Sequence, residues 1–180
     1  MKIVFRIILF AALAALGIWL WTVLFPSPEK VIRKRLVGLA NAVSFSSDGN
    51  NLVRLAGAQS LGGFFSVDVQ VDIDVPGHER HSFTSRQEIT QAALAARSAV
   101  TALKVKFPDI NITVAPDKQS AVANLTLEAR VSGQPDLIVQ EMKFTLQKTD
   151  GKWLVTHVET VRTLSILHFE PTRFPSIVLA

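Results

Sequence analysis

The chain has 180 residues and a formal net charge of +4, which suits one domain plus a membrane segment and is too short for two full domains. Six of the 19 basic residues precede residue 36, against one acid, which leaves 13 basic and 14 acidic residues in the remainder. The folded part therefore lacks the basic stripe of a nucleic-acid binder, and we expect no nucleic-acid partner. The absence of cysteine excludes disulfides, Cys-ligated metals and thiol nucleophiles.

The first predicted element is a membrane anchor. An uncharged, mostly apolar run covers residues 7–25, and as a helix it would span about 28 Å, close to the roughly 30 Å hydrocarbon core of a bilayer. A cleaved signal peptide is the alternative, but it needs small residues before a cleavage site, and here they lie in the middle of the run. We assign residues 1–27 to an uncleaved signal anchor that binds the lipid bilayer through residues 7–25.

The orientation of this single-pass anchor has two readings. Lys2 and Arg6 precede the run and favour a cytoplasmic N-terminus, which leaves the domain periplasmic or extracellular. The positive-inside rule applied to the other flank gives the opposite orientation. We expect the extracytoplasmic placement, with the cytoplasmic one as the alternative. The basic residues of the second flank either set the register of the anchor or attract anionic headgroups at about 1 kcal/mol each; they are Lys30, Arg33, Lys34 and Arg35.

Two helices are expected after the anchor. Ser27 is a candidate N-cap with Pro28 at the first helical position, and the apolar residues that follow have helical spacing, which predicts a helix over 28–45. A turn cluster at 46–50 precedes a short second helix that ends near Gly62.

Alternation then replaces helical spacing. Apolar residues at 67, 69, 71, 73 and 75 alternate with polar ones, which predicts a strand whose valines and isoleucine face the core. Asp68, Asp72 and Asp74 then lie on a solvated face. A short return strand is expected over 81–84.

A third helix and four strands complete the predicted domain. Ser85 and Glu88 form a capping box, so the helix is expected to extend from there to about Ala102. The Asp150-Gly151 pair predicts a tight turn between the last two strands. The predicted strands cover 103–115, with a bulge at Pro108-Asp109, then 119–132, 137–149 and 152–164, and residues 165–180 form a tail without assigned structure.

The order of these elements resembles the nuclear transport factor 2-like (SnoaL-like) superfamily over residues 28–164. The phrases that carry the resemblance are Ser-Arg-Gln-Glu-Ile at 85–89, Lys-Phe-Thr-Leu-Gln-Lys at 143–148 and Thr-Asp-Gly-Lys-Trp-Leu-Val at 149–155. It implies an α+β fold in which a curved antiparallel sheet is wrapped around about three helices. Such a fold encloses an apolar, cone-shaped pocket. The superfamily contains isomerases, cyclases, hydrolases and proteins without a reaction, so the fold does not decide the function. Its steroid isomerases use a tyrosine, and this chain has none.

Two ionisable residues of the last strand are the candidate site. If pairing continues without interruption from the Asp150-Gly151 turn, Phe144 lies opposite His157, and opposite residues share a face. His157 and Glu159 would then lie on the buried face with Val161, as a tuned acid–base pair. A hydrogen-bonded core histidine beside an acid is the alternative. The predicted ligand-binding residues are Phe144, Trp153, Val155, His157 and Glu159, of which His157 and Glu159 are the catalytic candidates.

A histidine pair in the predicted hairpin has the spacing of metal ligands. His78 and His81 flank Glu79, but the segment is not helical and no third ligand is evident. We therefore prefer a solvated loop and expect neither a metal nor a cofactor.

Three functions stay open. The first is a membrane-anchored, non-catalytic module of the cell envelope that binds a small hydrophobic ligand or another protein. The second is a scaffold in an envelope complex of the type IV secretion or lipid-import kind, with other membrane proteins as partners. The third is an isomerase or hydrolase that uses His157 and Glu159. A homodimer paired through the sheet is a further expectation.

Overall fold

The computed structural model describes residues 27–46, 51–74, 81–134 and 137–167. The predicted anchor at 7–25 and residues 168–180 of the predicted tail lie outside these ranges. None of the helices within them is long and apolar enough to cross a membrane. The helices are α1 (Pro28–Val43), α2 (Asn51–Gly62) and α3 (Arg86–Ala99), and the strands are β1 (Phe65–Ile73), β2 (His81–Phe83), β3 (Leu103–Lys106), β4 (Ile110–Val114), β5 (Ser120–Val131), β6 (Leu137–Thr149) and β7 (Lys152–Leu167).

Helix α1 begins where the sequence predicts. Ser27 is its N-cap and Pro28 its first residue, but the Ser27 side chain makes no capping hydrogen bond. The backbone carbonyl of Ser27 instead accepts from the amide of Lys30 at 3.0 Å. The apolar stripe of the helix, which includes the fully buried Ile32 and Leu36, faces the core.

Helix α3 begins with a variant of the predicted capping box. The Ser85 hydroxyl accepts from the amide of Glu88 at 3.2 Å. The Glu88 carboxylate reaches past the cap residue and accepts from the amide of Thr84 at 2.7 Å. The first bond satisfies an amide that a helix start leaves without an intrahelical partner, and the second joins the residue before the cap to the first turn.

The seven described strands form one curved sheet in the order β2-β1-β7-β6-β5-β3, and β4 also pairs with β5. The α+β prediction is confirmed, but the expectation of a wholly antiparallel sheet is wrong. Strand β1 pairs with β7 in parallel, with Gln70 beside His157 and Asp72 beside Glu159. A hairpin forces antiparallel pairing, whereas β1 and β7 are far apart in the chain and no turn fixes their relative direction.

Irregular pairing shifts the predicted faces of β1. The register between β1 and β7 changes between Phe65 and Gln70. Phe65, Val69 and Val71 are buried, but Val67, predicted to face the core, is 64% exposed. The prediction for Val67 is wrong because strict alternation does not hold across a bulge. Asp68 and Asp74 are exposed as expected, and Asp72 is partly buried.

The predicted strand over 103–115 is divided at the expected place. Lys106 pairs with Glu128 and Ile110 with Leu125, so residues 107–109 lie opposite a shorter stretch of β5. The bulge predicted at Pro108-Asp109 is confirmed, in the form of a break between β3 and β4.

The hydrophobic core lies between the helices and the face of the sheet that they cover, here called the inner face. Its largest fully buried side chains come from one helix and three strands, which are Ile32 and Leu36 of α1, Val69 of β1, Leu146 of β6 and Val155 of β7. Each such side chain stabilises the fold by about 1.5–3 kcal/mol relative to an exposed position. The core therefore joins α1 to the centre of the sheet.

Arginines of the helices bind backbone carbonyls of neighbouring elements. Arg33 donates to Ile110 at 2.7 Å, Arg86 to Phe65 at 2.6 Å and Arg97 to Ala42 at 2.6 Å. Arg35 donates to the carbonyl of Gly63, and partial burial lowers the pKa of its guanidinium. These charge-assisted bonds hold the helical layer together and fix it to the sheet.

Candidate functional site

An apolar cavity of about 200 Å³ lies between the helices and the inner face of the sheet. Every lining side chain is hydrophobic. The lining residues are Leu39, Val43, Leu61, Phe65, Val71, Ile73, Phe83, Ile89, Ala92, Val105, Phe107, Leu127, Met142, Phe144 and Val158.

Small and large side chains shape this cavity together. Ala92 lies on the side of α3 that faces the sheet, where a longer side chain would fill the space. Phe107, at the break between β3 and β4, meets Phe144 of β6 edge to face, with ring centroids 5.9 Å apart. Such pairs are favoured by the quadrupoles of the rings. The break in the strand therefore places an aromatic wall on one side of the cavity.

The cavity has the size and chemistry for a small apolar molecule. A dry cavity of about 150 Å³ is enough to bind benzene or xenon, whereas drug-sized ligands need about 300–1,000 Å³. Because the described lining residues offer no strong hydrogen-bond donor or acceptor, recognition by them would depend on shape and dispersion.

The predicted ligand-binding residues lie in three different places. Phe144 lines the cavity. Trp153 and Val155 are buried on the same face of the sheet but lie nearer the hairpin turn and do not line the cavity. His157 and Glu159 lie elsewhere, because the hairpin register is interrupted.

The predicted hairpin is confirmed, but the predicted register fails beyond its first few pairs. Thr149 pairs with Lys152 and Leu146 with Val155, as expected, and the register then shifts. The turn itself has Asp150 and Gly151 at φ values of 50° and 76°, typical of the type I′ turn of a two-residue hairpin.

Thr156 is the extra residue at this shift. Beyond it, Thr145 pairs with His157, Phe144 with Val158 and Lys143 with Glu159. An inserted residue turns every later side chain to the other face until the next irregularity. The prediction that His157 and Glu159 face the core is therefore wrong; they lie on the outer face, turned away from the helices.

Val158 and Val161 confirm the reversal of faces. Val158, which the uninterrupted register would place on the outer face, is buried and lines the cavity. Val161, predicted to lie inside with His157, is 59% exposed. Because of the bulge, Val158 rather than His157 lies at the cavity wall.

His157 and Glu159 belong to a charged cluster on the outer face. Lys143 Nζ lies 2.8 Å from Glu159 Oε1, and His157 Nε2 lies 3.8 Å from Glu159 Oε2. The hydrogen bond from Lys143 lowers the pKa of the Glu159 carboxyl, and the nearby His157 contributes in the same direction. Because the Lys143 and Glu159 side chains are 42% and 39% exposed, water and salt screen the attraction.

Two buried polar side chains were missed in the sequence. Arg97 of α3 is 5% exposed and stacks over the Phe45 ring at 5.3 Å. Gln140 of β6 is 2% exposed and donates to the carbonyl of Asp74 at 2.7 Å. For Gln140 a signal existed, because alternation along β6 places it on the same face as Met142 and Phe144. Nothing local distinguishes Arg97 from a solvated helical arginine.

The histidine pair that was predicted to lie in a solvated loop falls mostly outside the described residues. His78 and Glu79 are not described, and His81 of β2 is exposed. Among the residues that the structure describes, no group of three His, Asp or Glu side chains is placed to hold a metal ion.

Comparison with known proteins identifies the fold. No family model and no curated protein matches the chain. A scytalone dehydratase-like protein from Novosphingobium aromaticivorans is 15% identical, with 84% of this chain and 94% of that one covered and a TM-score of 0.58. A nuclear transport factor 2-like protein of unknown function from Pseudomonas putida KT2440 is 13% identical, with 81% and 97% covered and a TM-score of 0.57. The yeast UBP3-associated protein BRE5 is 14% identical, with 78% and 99% covered and a TM-score of 0.57. The chain thus has the nuclear transport factor 2-like fold.

Proposed function

We propose that the domain is a non-catalytic binding module that takes a small apolar molecule into the cavity between α3 and β6. The observation that carries the proposal is the lining itself, which is hydrophobic on every side. A cavity of about 200 Å³ leaves room for a ligand about the size of one aromatic ring.

The same lining argues against catalysis in the cavity. General acid–base chemistry needs a titratable group within hydrogen-bond reach of the reacting atoms, and the described residues that line the cavity include none. An isomerase or hydrolase acting through His157 and Glu159 would have to work on the outer face, where the Lys143–Glu159 pair is open to solvent. The geometry gives that alternative little support.

A protein-binding role is the second candidate. The fold is shared with BRE5, which is named for its association with UBP3. On this chain a partner protein, or a second copy of the chain, would use the mixed outer face, where Val161 is exposed beside the charged cluster. A scaffold in an envelope complex would use the same surface.

We further propose that residues 7–25 anchor the domain to a membrane, with the domain on the extracytoplasmic side. The support is the length and apolarity of the run and the basic residues Lys2 and Arg6 before it. A tethered domain with an apolar cavity suits ligands that partition into lipid.

The two methionines of the chain, Met1 and Met142, allow a direct test of the cavity. Met142 lines it, so the ¹³C-methyl signal of labelled methionine in the full chain, held in lipid nanodiscs, reports on the cavity. Titration with benzene should shift the Met142 signal in a saturable way. The Met1 signal serves as the reference for effects of benzene that do not arise at Met142.

Alanines of α3 supply matched variants. Ala92→Leu should fill the cavity and abolish the saturable shift, whereas Ala95→Leu, at an exposed position of the same helix, should leave it unchanged. His157→Ala should also leave the shift unchanged. A Met142 signal that does not respond to benzene in the unaltered chain would refute the proposal, and a response lost in His157→Ala would return that residue to the site.

A further inference from the structure

Helix α1 has a second face, turned away from the core. At roughly 100° per residue, positions 30, 34, 37 and 41 follow one another along it, and position 31 lies beside them. All are exposed, including two valines at 38% and 45%. This surface, here called the lysine face, consists of Lys30, Val31, Lys34, Val37 and Asn41.

The structure divides the four basic residues of this segment into two pairs. Arg33 donates to the carbonyl of Ile110, and Arg35 donates to that of Gly63 while its guanidinium stacks over the Phe64 ring at 5.0 Å. These arginines hold α1 in the fold. Lys30 and Lys34 form no ion pair with any residue of the described ranges.

Within the described part of the chain, no acid forms an ion pair with the lysine face. Glu29, the acidic residue of α1, lies about 140° around the helix from Lys34, on the side that flanks the core. Lysines with short apolar side chains between them are suited to a lipid interface, because the ammonium groups reach phosphates while the apolar groups enter the headgroup boundary.

The chain also places this face near the bilayer. The apolar run ends at Phe25 and α1 begins at Pro28, a gap that an extended chain spans in about 10 Å. Surface potentials decay over a Debye length of about 8 Å at physiological ionic strength. If α1 stood upright, Lys34 would lie about 9 Å farther from the surface than Pro28. If α1 lies flat, both lysines gain from the potential.

We propose that the lysine face of α1 lies flat on anionic phospholipid headgroups of the membrane that holds residues 7–25. The proposal rests on the proposed anchor and adds to it a fixed orientation of the domain. Arg33 and Arg35 transmit that orientation, because they bind α1 to β4 and to the end of α2.

A single spin label tests this contact. The chain has no cysteine, so Asn41→Cys gives one labelling site on the lysine face of the full chain. The variant is placed in vesicles of phosphatidylcholine alone or with phosphatidylglycerol, and collisions of the label with oxygen and with a water-soluble nickel chelate report its depth. The label should be nearer the lipid in anionic vesicles and move outward in high salt.

Paired charge variants locate the effect. Lys30→Gln with Lys34→Gln should lower the ratio of lipid-contacting to detached states by roughly 30-fold, as expected for two basic residues at about 1 kcal/mol each. Lys104→Gln with Lys106→Gln removes the same charge from the exposed side of β3 and should change nothing.

The outcomes separate this inference from the anchor. A chain extracted from vesicles by alkaline carbonate would refute the anchor, and this inference with it. If the chain resists carbonate but its label has the same depth in both vesicle types, the inference alone is overturned. A label that is protected from both oxygen and the nickel chelate, whatever the lipid charge, would indicate that a protein surface covers this face instead. Equal effects of the two double variants would also overturn it.

Discussion

Thr145 and His157 lie opposite each other across β6 and β7, whereas an uninterrupted count from the hairpin turn places His157 opposite Phe144. The difference is one residue, Thr156. Because side chains alternate along a strand, that insertion turns His157 outward and Val158 inward. The apolar character of the cavity wall at this point therefore depends on a bulge.

Deletion of Thr156 tests whether it is the inserted residue. The deletion would remove the bulge and make Val155 and His157 neighbours, which keeps His157 outward and Val158 inward in an uninterrupted strand. We expect the free energy of unfolding, measured by chemical denaturation, to fall by no more than about 1.5 kcal/mol, the cost of one lost hydrogen bond.

The matched control keeps the bulge and removes one bond. Thr156→Val loses the hydrogen bond from the Thr156 hydroxyl to the carbonyl of Thr145, 3.2 Å long, and should cost about 0.5–1.5 kcal/mol. If the deletion were several kcal/mol more costly than this substitution, Thr156 would not be the inserted residue of β7.

The Lys143–Glu159 pair predicts a modest dependence of stability on pH. The contact lowers the pKa of Glu159 below its ordinary value of 4.5, so its contribution is present above pH 4.5 and is lost as the pH falls through the folded-state pKa. Lys143→Met should raise that pKa, visible in the ¹³C signal of the carboxyl, and destabilise the fold near neutral pH by less than about 1 kcal/mol, because the pair is exposed and screened.

Lys148→Met serves as the comparison, since Lys148 is exposed on the same strand and does not contact Glu159. It should leave the Glu159 titration where it was. A Lys143→Met variant with an unaltered titration would show that the hydrogen bond is not maintained in solution.

Gly57 and Arg97 predict an unusual substitution effect. Replacing glycine by alanine inside a helix ordinarily stabilises it by about 1 kcal/mol. At Gly57 of α2, however, a Cβ would collide with Nη1 of the buried Arg97, whose guanidinium binds the carbonyl of Ala42. Gly57→Ala should therefore destabilise the fold by about 1–3 kcal/mol.

A double-mutant cycle isolates this contact. Arg97→Met is itself destabilising, because it leaves the Ala42 carbonyl without its donor, but it gives the new methyl group room. In that background Gly57→Ala should be neutral or stabilising, as judged by thermal and denaturant unfolding. Additive effects of the two substitutions would contradict the proposed collision.

Local chemistry made several elements predictable. Ser85 and Glu88 marked the start of α3, Asp150-Gly151 marked the hairpin, and Pro108-Asp109 marked the break between β3 and β4. In each case the signal and the structure it produces lie within a few residues. The cavity wall was predictable only in part, since Phe144 was identified whereas Ala92 and Val158 were not.

The sequence by itself determined the order of helices and strands, the apolar stripe of α1 and the position of the hairpin turn, because these depend on spacing and on backbone preferences of single residues. The tertiary structure decided the parallel pairing of β1 with β7, the bulge at Thr156 and the burial of Arg97. Those features depend on contacts between distant segments, and no periodicity within one strand or helix encodes them. For this reason the apolar cavity lies on one side of β7, and the histidine that the sequence favoured lies on the other.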